Sequence, residues 1–202
     1  MNRRLDDKPI AVILLGFFTI FWLLMAISPL YRGIWIAENI VLLIGIIYLI
    51  ASYKTLPFSN AAYALIFAFC ILQTIGAHYT YAEVPLGFWV ADWLDIQRNH
   101  YDRLVHFMFG FLLVFPVKEM LNNSVKFANQ HIEILILVLV FLGLGGFYEI
   151  LEWLYALLYE HSEAADSFLG SQGDIWDAEK DVLLAGLGAW LYLLLFNSDK
   201  KR

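Results

Sequence analysis

The sequence predicts an all-α, polytopic membrane protein. It reads as one integral domain over residues 1–202, a bundle of six transmembrane helices with an interfacial amphipathic helix before helix four. Three observations predict this. The 202 residues are 61% hydrophobic with a mean hydropathy of +0.67, well above the roughly 45–50% apolar content of soluble domains. Apolar runs recur near the roughly 20 residues that a hydrocarbon core of about 30 Å demands. Charged residues make up only 16% of the chain, and they cluster between those runs.

The first span is expected over about 10–28. It follows Met1-Asn2-Arg3-Arg4 and ends at the turn Pro29-Leu30-Tyr31-Arg32-Gly33. The run is longer than a signal-peptide core and lacks a small-residue cleavage site, so it reads as an uncleaved helix. Further spans are expected over about 34–52, 61–78, 103–121, 132–158 and 181–197. The fourth and sixth reach full length only if their helices begin in the polar stretch before them, which puts Asp102 and His106, or Asp177 and Asp181, at a membrane boundary. Seven Trp and eleven Tyr suit interfacial belts. Gly143, Gly145 and Gly146 in the fifth span, and Gly186 and Gly188 in the sixth, are small residues that let helices approach closely in lipid.

Orientation follows from the thirteen Lys and Arg. In a six-span arrangement Arg3, Arg4, Lys8, Lys54, Lys118, Lys126, Lys200, Lys201 and Arg202 fall on one side. Arg32, Arg98, Arg103 and Lys180 fall on the other. The positive-inside rule then puts both termini in the cytoplasm. The expected location is a bacterial plasma (inner) membrane, with the lipid bilayer as the partner. The net charge of -6 gives no basic face for nucleic acid, and no protein partner is indicated. The single cysteine, Cys70, excludes an intramolecular disulfide.

Most of the nineteen acidic residues crowd two windows, 78–106 and 149–181, on the side opposite the basic loops. Ionisable groups at membrane depth are functional-site candidates by default, because each needs a partner or water. In the first window, Asp92, Asp95, Asn99, Asp102 and His106 follow a 3-4-3-4 spacing, which on one unbroken helix from Phe88 gives a single polar face. Asp92 and Asp95 suit solvation on an interfacial helix. Asp102 and His106 adjoin the apolar run Phe107-Met108-Phe109, where Asp at i and His at i+4 can share a proton or a cation. Arg103 beside them can pair with an acid or hold a phosphate. His78 closes the third span on the same side.

In the fifth span, Glu149 and Glu152 lie among Phe147, Tyr148, Ile150, Leu151 and Trp153, about 25–30 Å along the helix. A carboxylate in that company must be protonated, paired or metal-bound. The third element runs from Gly170 to Asp181. Asp174 suits a helix N-cap. Asp177 and Asp181 continue its stripe, and Asp181 abuts Val182-Leu183-Leu184-Ala185, where capping cannot explain it. Oxygen ligands plus His suit a divalent cation such as Mg²⁺, Mn²⁺ or Zn²⁺.

The candidate catalytic set is therefore Asp102, His106, Glu149, Asp177 and Asp181. Asp102, His106, Glu149 and Asp181 are the metal-ligand candidates, and Arg103, Glu152 and His78 are the substrate-binding candidates. Three readings stay open: a metal-dependent enzyme on an envelope lipid or polyprenyl phosphate, a small proton-coupled transporter with Glu149 and Glu152 titrating, and a structural subunit whose polar cluster locks helices together.

Three segments carry a resemblance: His78-Tyr79-Thr80-Tyr81-Ala82-Glu83-Val84-Pro85-Leu86-Gly87, Arg98-Asn99-His100-Tyr101-Asp102-Arg103-Leu104-Val105-His106-Phe107, and Gly173-Asp174-Ile175-Trp176-Asp177 with Asp181. They resemble the YjdF-type bacterial inner-membrane proteins over most of the chain. The resemblance implies a multi-pass plasma-membrane protein and supplies no activity. A looser similarity is to VanZ-like membrane proteins, whose Asp-Lys-x-x-His-Phe motif is matched by Asp102-Arg103-Leu104-Val105-His106-Phe107. Glu149 stands for their later glutamate, and Asp181 with Gly188-Ala189 for their last motif, although Ala185 stands where asparagine is expected. VanZ-like proteins are linked to cell-envelope and glycopeptide-resistance phenotypes, and the similarity carries no mechanism over to this chain.

Overall fold

A computed structural model describes residues 9–158 and 172–196. Within them lie seven α-helices: α1 (Pro9–Met25), α2 (Arg32–Ser52), α3 (Asn60–Tyr79), α4 (Pro85–Leu94), α5 (Tyr101–Asn122), α6 (Gln130–Leu158) and α7 (Asp177–Phe196). A single 3-10 turn, Tyr81–Glu83, links α3 to α4. The described residues contain no strand. Helices α2, α3, α5 and α6 are long and apolar enough to cross a membrane. Helix α1 is apolar and shorter. Helix α7 has 20 residues and opens on Asp177, Glu179 and Asp181. The basic termini and residues 159–171, with Gly170 and Ser171, lie outside the described residues.

The helices form two triads. Helix α3 packs on α1 and α2, helix α7 packs on α5 and α6, and α3 against α5 joins the two groups. Val114, Leu137, Phe141, Ala189 and Leu193 fill the centre of the second triad. Phe18, Leu42 and Cys70 fill the first. Many outward side chains are large and apolar, including Phe17 at 63% exposed, Ile47 at 64% and Leu194 at 62%. Such a surface suits lipid and would aggregate in water.

Because lipid tails are as apolar as leucine, burial alone does not drive helix association there; close packing and polar bonds must. Both are present. A Cβ on Gly110 would lie 1.9 Å from the Ala185 carbonyl oxygen, and one on Gly188 would lie 2.0 Å from that of Phe107. Helices α5 and α7 therefore touch backbone to backbone. Gly145 and Gly186 also face close neighbours across α6 and α7. Gly143 does not: a Cβ there would meet nothing within 4 Å. Away from this crossing, Glu119 of α5 accepts from the backbone N–H and hydroxyl of Ser59 at 2.7 Å each, while the Ser59 hydroxyl caps α3 through the Ala62 N–H.

The unbroken helix expected from Phe88 into α5 is not formed. Helix α4 stops at Leu94, because Asp95 takes the left-handed conformation (φ 54°). The Ile96 N–H then bonds back to the Ala91 carbonyl at 3.0 Å. This closes a helix end in the Schellman manner, one that Asp tolerates better than most residues. The chain turns at Asn99, which is fully buried. Its side chain donates to the Val84 carbonyl (3.0 Å) and accepts from the Tyr101 N–H (3.1 Å). Its backbone exchanges two bonds with Gln172, at 3.0 and 2.9 Å. Asn99 is thus a hinge pin between α4, α5 and the start of α7, and not a member of a helical stripe.

Candidate functional site

The polar groups converge at the end of the bundle where α5 and α7 begin and α6 nears its close. Both α5 and α7 start inside the polar stretches, with Asp102 in the first turn of one and Asp177 in the first turn of the other. The glycine contact between them is what brings their first turns together. Gly110 lies one turn beyond His106, and Ala185, which it touches, lies one turn beyond Asp181.

At the centre, ligand atoms of Asp102, His106 and Asp181 all lie within 4.8 Å of one another, and all three residues are buried. His106 Nε2 is 3.6 Å from Asp102 Oδ1 and 3.3 Å from Glu149 Oε1. Asp181 Oδ1, itself fully buried, accepts no hydrogen bond. Glu152, one turn further along α6 than Glu149, is also buried. Three of the predicted carboxylates, Asp102, Glu149 and Asp181, thus gather around the histidine.

A second layer pairs its charges. Asp177 is held by Arg98 at 2.5 Å and by Arg103 at 3.0 Å. Arg103 also bonds Asp174 at 2.5 Å, and Lys180 bonds the same Asp174 oxygen at 2.5 Å. Asp174 is not the N-cap, since α7 begins three residues later at Asp177; its carboxylate accepts from the Trp176 N–H at 3.1 Å in a local turn ahead of the helix. The Lys180 ammonium and that N–H hold its carboxyl well below the usual carboxylate range. Arg103 therefore faces two carboxylates within the protein.

Sequence reasoning missed a third group. Glu38 of α2 is 2% exposed. It accepts from Gln73 Nε2 (3.1 Å), from the Tyr81 hydroxyl (3.1 Å) and from the Tyr148 hydroxyl. Tyr81 reaches it because Thr80 turns left-handed (φ 55°) and the ring folds back over Gly76, where any Cβ would collide with it at 2.3 Å. The signal was available: Glu38 is a lone carboxylate between Ile34-Trp35-Ile36-Ala37 and Ile40-Val41-Leu42, the context that marks an intramembrane functional group.

His78 stands apart from the cluster. Its Nδ1 lies 2.8 Å from the Met25 carbonyl, and its ring packs on Tyr79. It ties the end of α3 to the end of α1. Asp92 and Asp95 are exposed. Asp92→Asn and Asp95→Asn are expected to leave thermal stability within about 0.5 kcal/mol, with cation binding unchanged, because Asn also tolerates the left-handed turn at position 95. A melting curve and a cation titration of each variant check this.

Seven buried or half-buried carboxylates (Glu38, Asp102, Glu149, Glu152, Asp174, Asp177 and Asp181) stand at this end of the bundle against three cations, Arg98, Arg103 and Lys180. Negative charge dominates even with His106 protonated. Burying carboxylates without compensation is costly, so the arrangement fits a bound cation or retained protons.

These features define an all-helical membrane protein with a carboxylate-rich centre at one end of its bundle. The chain belongs to the family described as "Predicted membrane protein (DUF2238)", which matches residues 10–202. It is similar to the inner membrane protein YjdF of Escherichia coli (strain K12), with 34% identity over 174 residues, covering 83% of this chain and 82% of that protein. No solved structure matches it.

Proposed function

We propose that the protein is an inner-membrane, metal-dependent enzyme acting on a phosphate ester of an envelope amphiphile, a lipid or a polyprenyl phosphate. The observation that carries this reading is the buried Asp102–His106–Asp181 group with ligand atoms within 4.8 Å, in which Asp181 Oδ1 has no hydrogen-bond partner. Two carboxylates and an imidazole suit Zn²⁺ or Mn²⁺ better than Ca²⁺, which prefers an all-oxygen shell. Glu149, 3.3 Å from His106, is placed to act as a fourth ligand or as the base that takes a proton from water. In hydrolysis, the water oxygen adds to phosphorus, the ester P–O bond breaks, and the leaving alkoxide receives the proton that Glu149 removed. Arg103 orients the developing anion on exchanging one of its two carboxylate partners for phosphate.

A structural lock explains the Arg98–Asp177–Arg103–Asp174 layer, where every charge is paired, and leaves Asp181 unexplained. A proton-coupled carrier draws support from Glu38, which adds a carboxylate beside Glu149 and Glu152. Elemental analysis of purified wild-type protein beside Asp181→Ala separates these readings. The enzyme reading expects a stoichiometric transition metal in the wild type and its loss in the variant. A metal-free wild type that also takes up no Zn²⁺ or Mn²⁺ on titration sinks it.

The same proposal places six crossings in the bilayer, with α4 at the interface on its exposed Trp89 and Trp93. Both termini are cytoplasmic and the carboxylate centre faces outward. Single cysteines introduced in a Cys70→Ser background test this with a membrane-impermeant maleimide on intact cells. Labelling is expected at position 165 and not at 122 or 129; the reverse pattern overturns the orientation.

A further inference from the structure

Beside the carboxylate centre a cavity of about 430 Å³ runs between α2, α3, α5 and α6, within the range of small-molecule sites. Its buried polar lining gathers at one end, where Gln73, Tyr81, His106 and Tyr148 stand. From there the walls become apolar, through Leu42, Phe69, Phe109 and Leu113 to Pro116 and Met120. The Tyr148 hydroxyl bonds Glu38 across the polar end and bridges α6 to α2. Beyond that bridge the two helices stand on opposite sides of the cavity. Their rim residues Val41, Tyr48, Leu144 and Phe147 line it and are 40–56% exposed. The cavity therefore opens sideways, onto the surface that lipid covers.

We infer that this cavity holds one acyl chain of a membrane glycerophospholipid, with the headgroup phosphate at the His106 end. The inference deepens the proposed function, on which it rests, by naming the substrate class. His106 and Met120 are about four turns apart on α5, roughly 21 Å. That exceeds the roughly 15 Å depth of one leaflet of a 30 Å core, so an acyl chain of ordinary length fits and a long polyprenyl chain does not. A volume of about 430 Å³ spread along that length makes a narrow groove, whose shape suits an extended chain. One polar end and one apolar run match an amphiphile, whereas a water-soluble substrate would leave most of the lining unused. The sideways opening lets the chain enter from the bilayer without its headgroup crossing an apolar layer.

Gly45 provides the test. It lines the cavity on α2, and a Cβ there meets nothing within 4 Å, so Gly45→Trp projects into the groove without displacing a packed neighbour. Val41→Trp blocks the same groove from its exposed rim. Full-length protein is reconstituted in phosphatidylethanolamine–phosphatidylglycerol vesicles. These carry trace phosphatidylglycerol with a diazirine at the end of one acyl chain. On photolysis, cross-links are expected at Tyr48 and over 116–120, competed by unlabelled phosphatidylglycerol. Both tryptophan variants should lower the yield at least about tenfold, since the indole takes the space the chain would fill and forfeits its packing contacts. Gly45→Ala should keep it.

Labelling spread evenly over outward residues such as Phe17 and Leu139, or wild-type yield in both tryptophan variants, overturns the inference. So does displacement by a polyprenyl phosphate but not by phosphatidylglycerol. A metal-free wild type that still cross-links in the groove removes the catalytic reading and leaves the lipid site standing. A metal-loaded protein without groove labelling does the opposite.

Discussion

Asp181→Asn is expected to lower affinity for Zn²⁺ or Mn²⁺ by about 100-fold or more, since even outer-shell partners of a metal contribute 10–100-fold. Asparagine keeps the shape of the side chain and removes its charge. Asp181 is 2% exposed and shares its pocket with Asp102 and His106, so the lost ligand cannot be replaced from bulk water. Without cation, the variant should melt at or above the wild-type temperature, because one of several crowded carboxylates is gone. That combination, weaker binding with undiminished stability, is what a site predicts. A purely structural cluster predicts the reverse, a folding defect with no binding to lose. Glu149→Gln should act in the same direction, since Glu149 contacts His106 at 3.3 Å. Calorimetric titration and thermal melts of the two variants check this. Wild-type affinity in both would return the cluster to packing. Where a variant fails to accumulate, the exchange Glu149→Asp with Asp181→Glu restores both charges and separates a site from a scaffold.

Gly110→Ala is expected to prevent stable assembly of α5 with α7, at a cost of about 3 kcal/mol or more, the upper range for overpacking. The added methyl would lie 1.9 Å from a backbone carbonyl oxygen of α7, and the reciprocal contact at Gly188 is 2.0 Å. Neither obstacle is a flexible side chain, so relief requires the helices to move apart. Such a movement would also separate Asp102 and His106 from Asp181, so residual folded protein should have lost its cation affinity. Gly143→Ala is the matched control. Space is open there, and replacing a helical glycine by alanine should leave stability within about 1 kcal/mol or raise it. Membrane accumulation and melting temperature read both variants. Equal behaviour of Gly110→Ala and Gly143→Ala would show that the α5–α7 contact does not hold the bundle.

Glycine spacing alone does not distinguish these positions. Gly143, Gly145 and Gly146 look equivalent in the sequence, yet Gly145 and Gly146 meet α7 while Gly143 faces open space, because an α-helix turns each residue about 100° from the last. Gly110, isolated among aromatic residues, carries no signal until α7 is laid against it.

The helices themselves were legible. Apolar length and the polar interruptions mark all six long segments to within three residues or so at most ends. They also place the first turns of α5 and α7 in the polar stretches. The candidate residues Asp102, His106, Glu149, Glu152 and Asp181 follow from the cost of burying charge beside apolar sequence, a local property. The break between α4 and α5 was not legible, because a 3-4-3-4 polar spacing fits a continuous helix as well as it fits a left-handed stop at Asp95. Nor were the pairs Arg98–Asp177 and Arg103–Asp174, which join residues more than 70 positions apart.

The sequence by itself determined that this is a helical membrane protein and which residues cannot sit in lipid unpartnered, since transfer cost is a property of each residue and its neighbours. Tertiary structure alone decided which of those residues meet, that Glu38 joins them through Tyr81 and Tyr148, that His78 does not, and that an apolar cavity ends on His106. Those outcomes depend on how closely helices distant in sequence approach, and between α5 and α7 that approach is set by the backbone contact at Gly110 and Gly188.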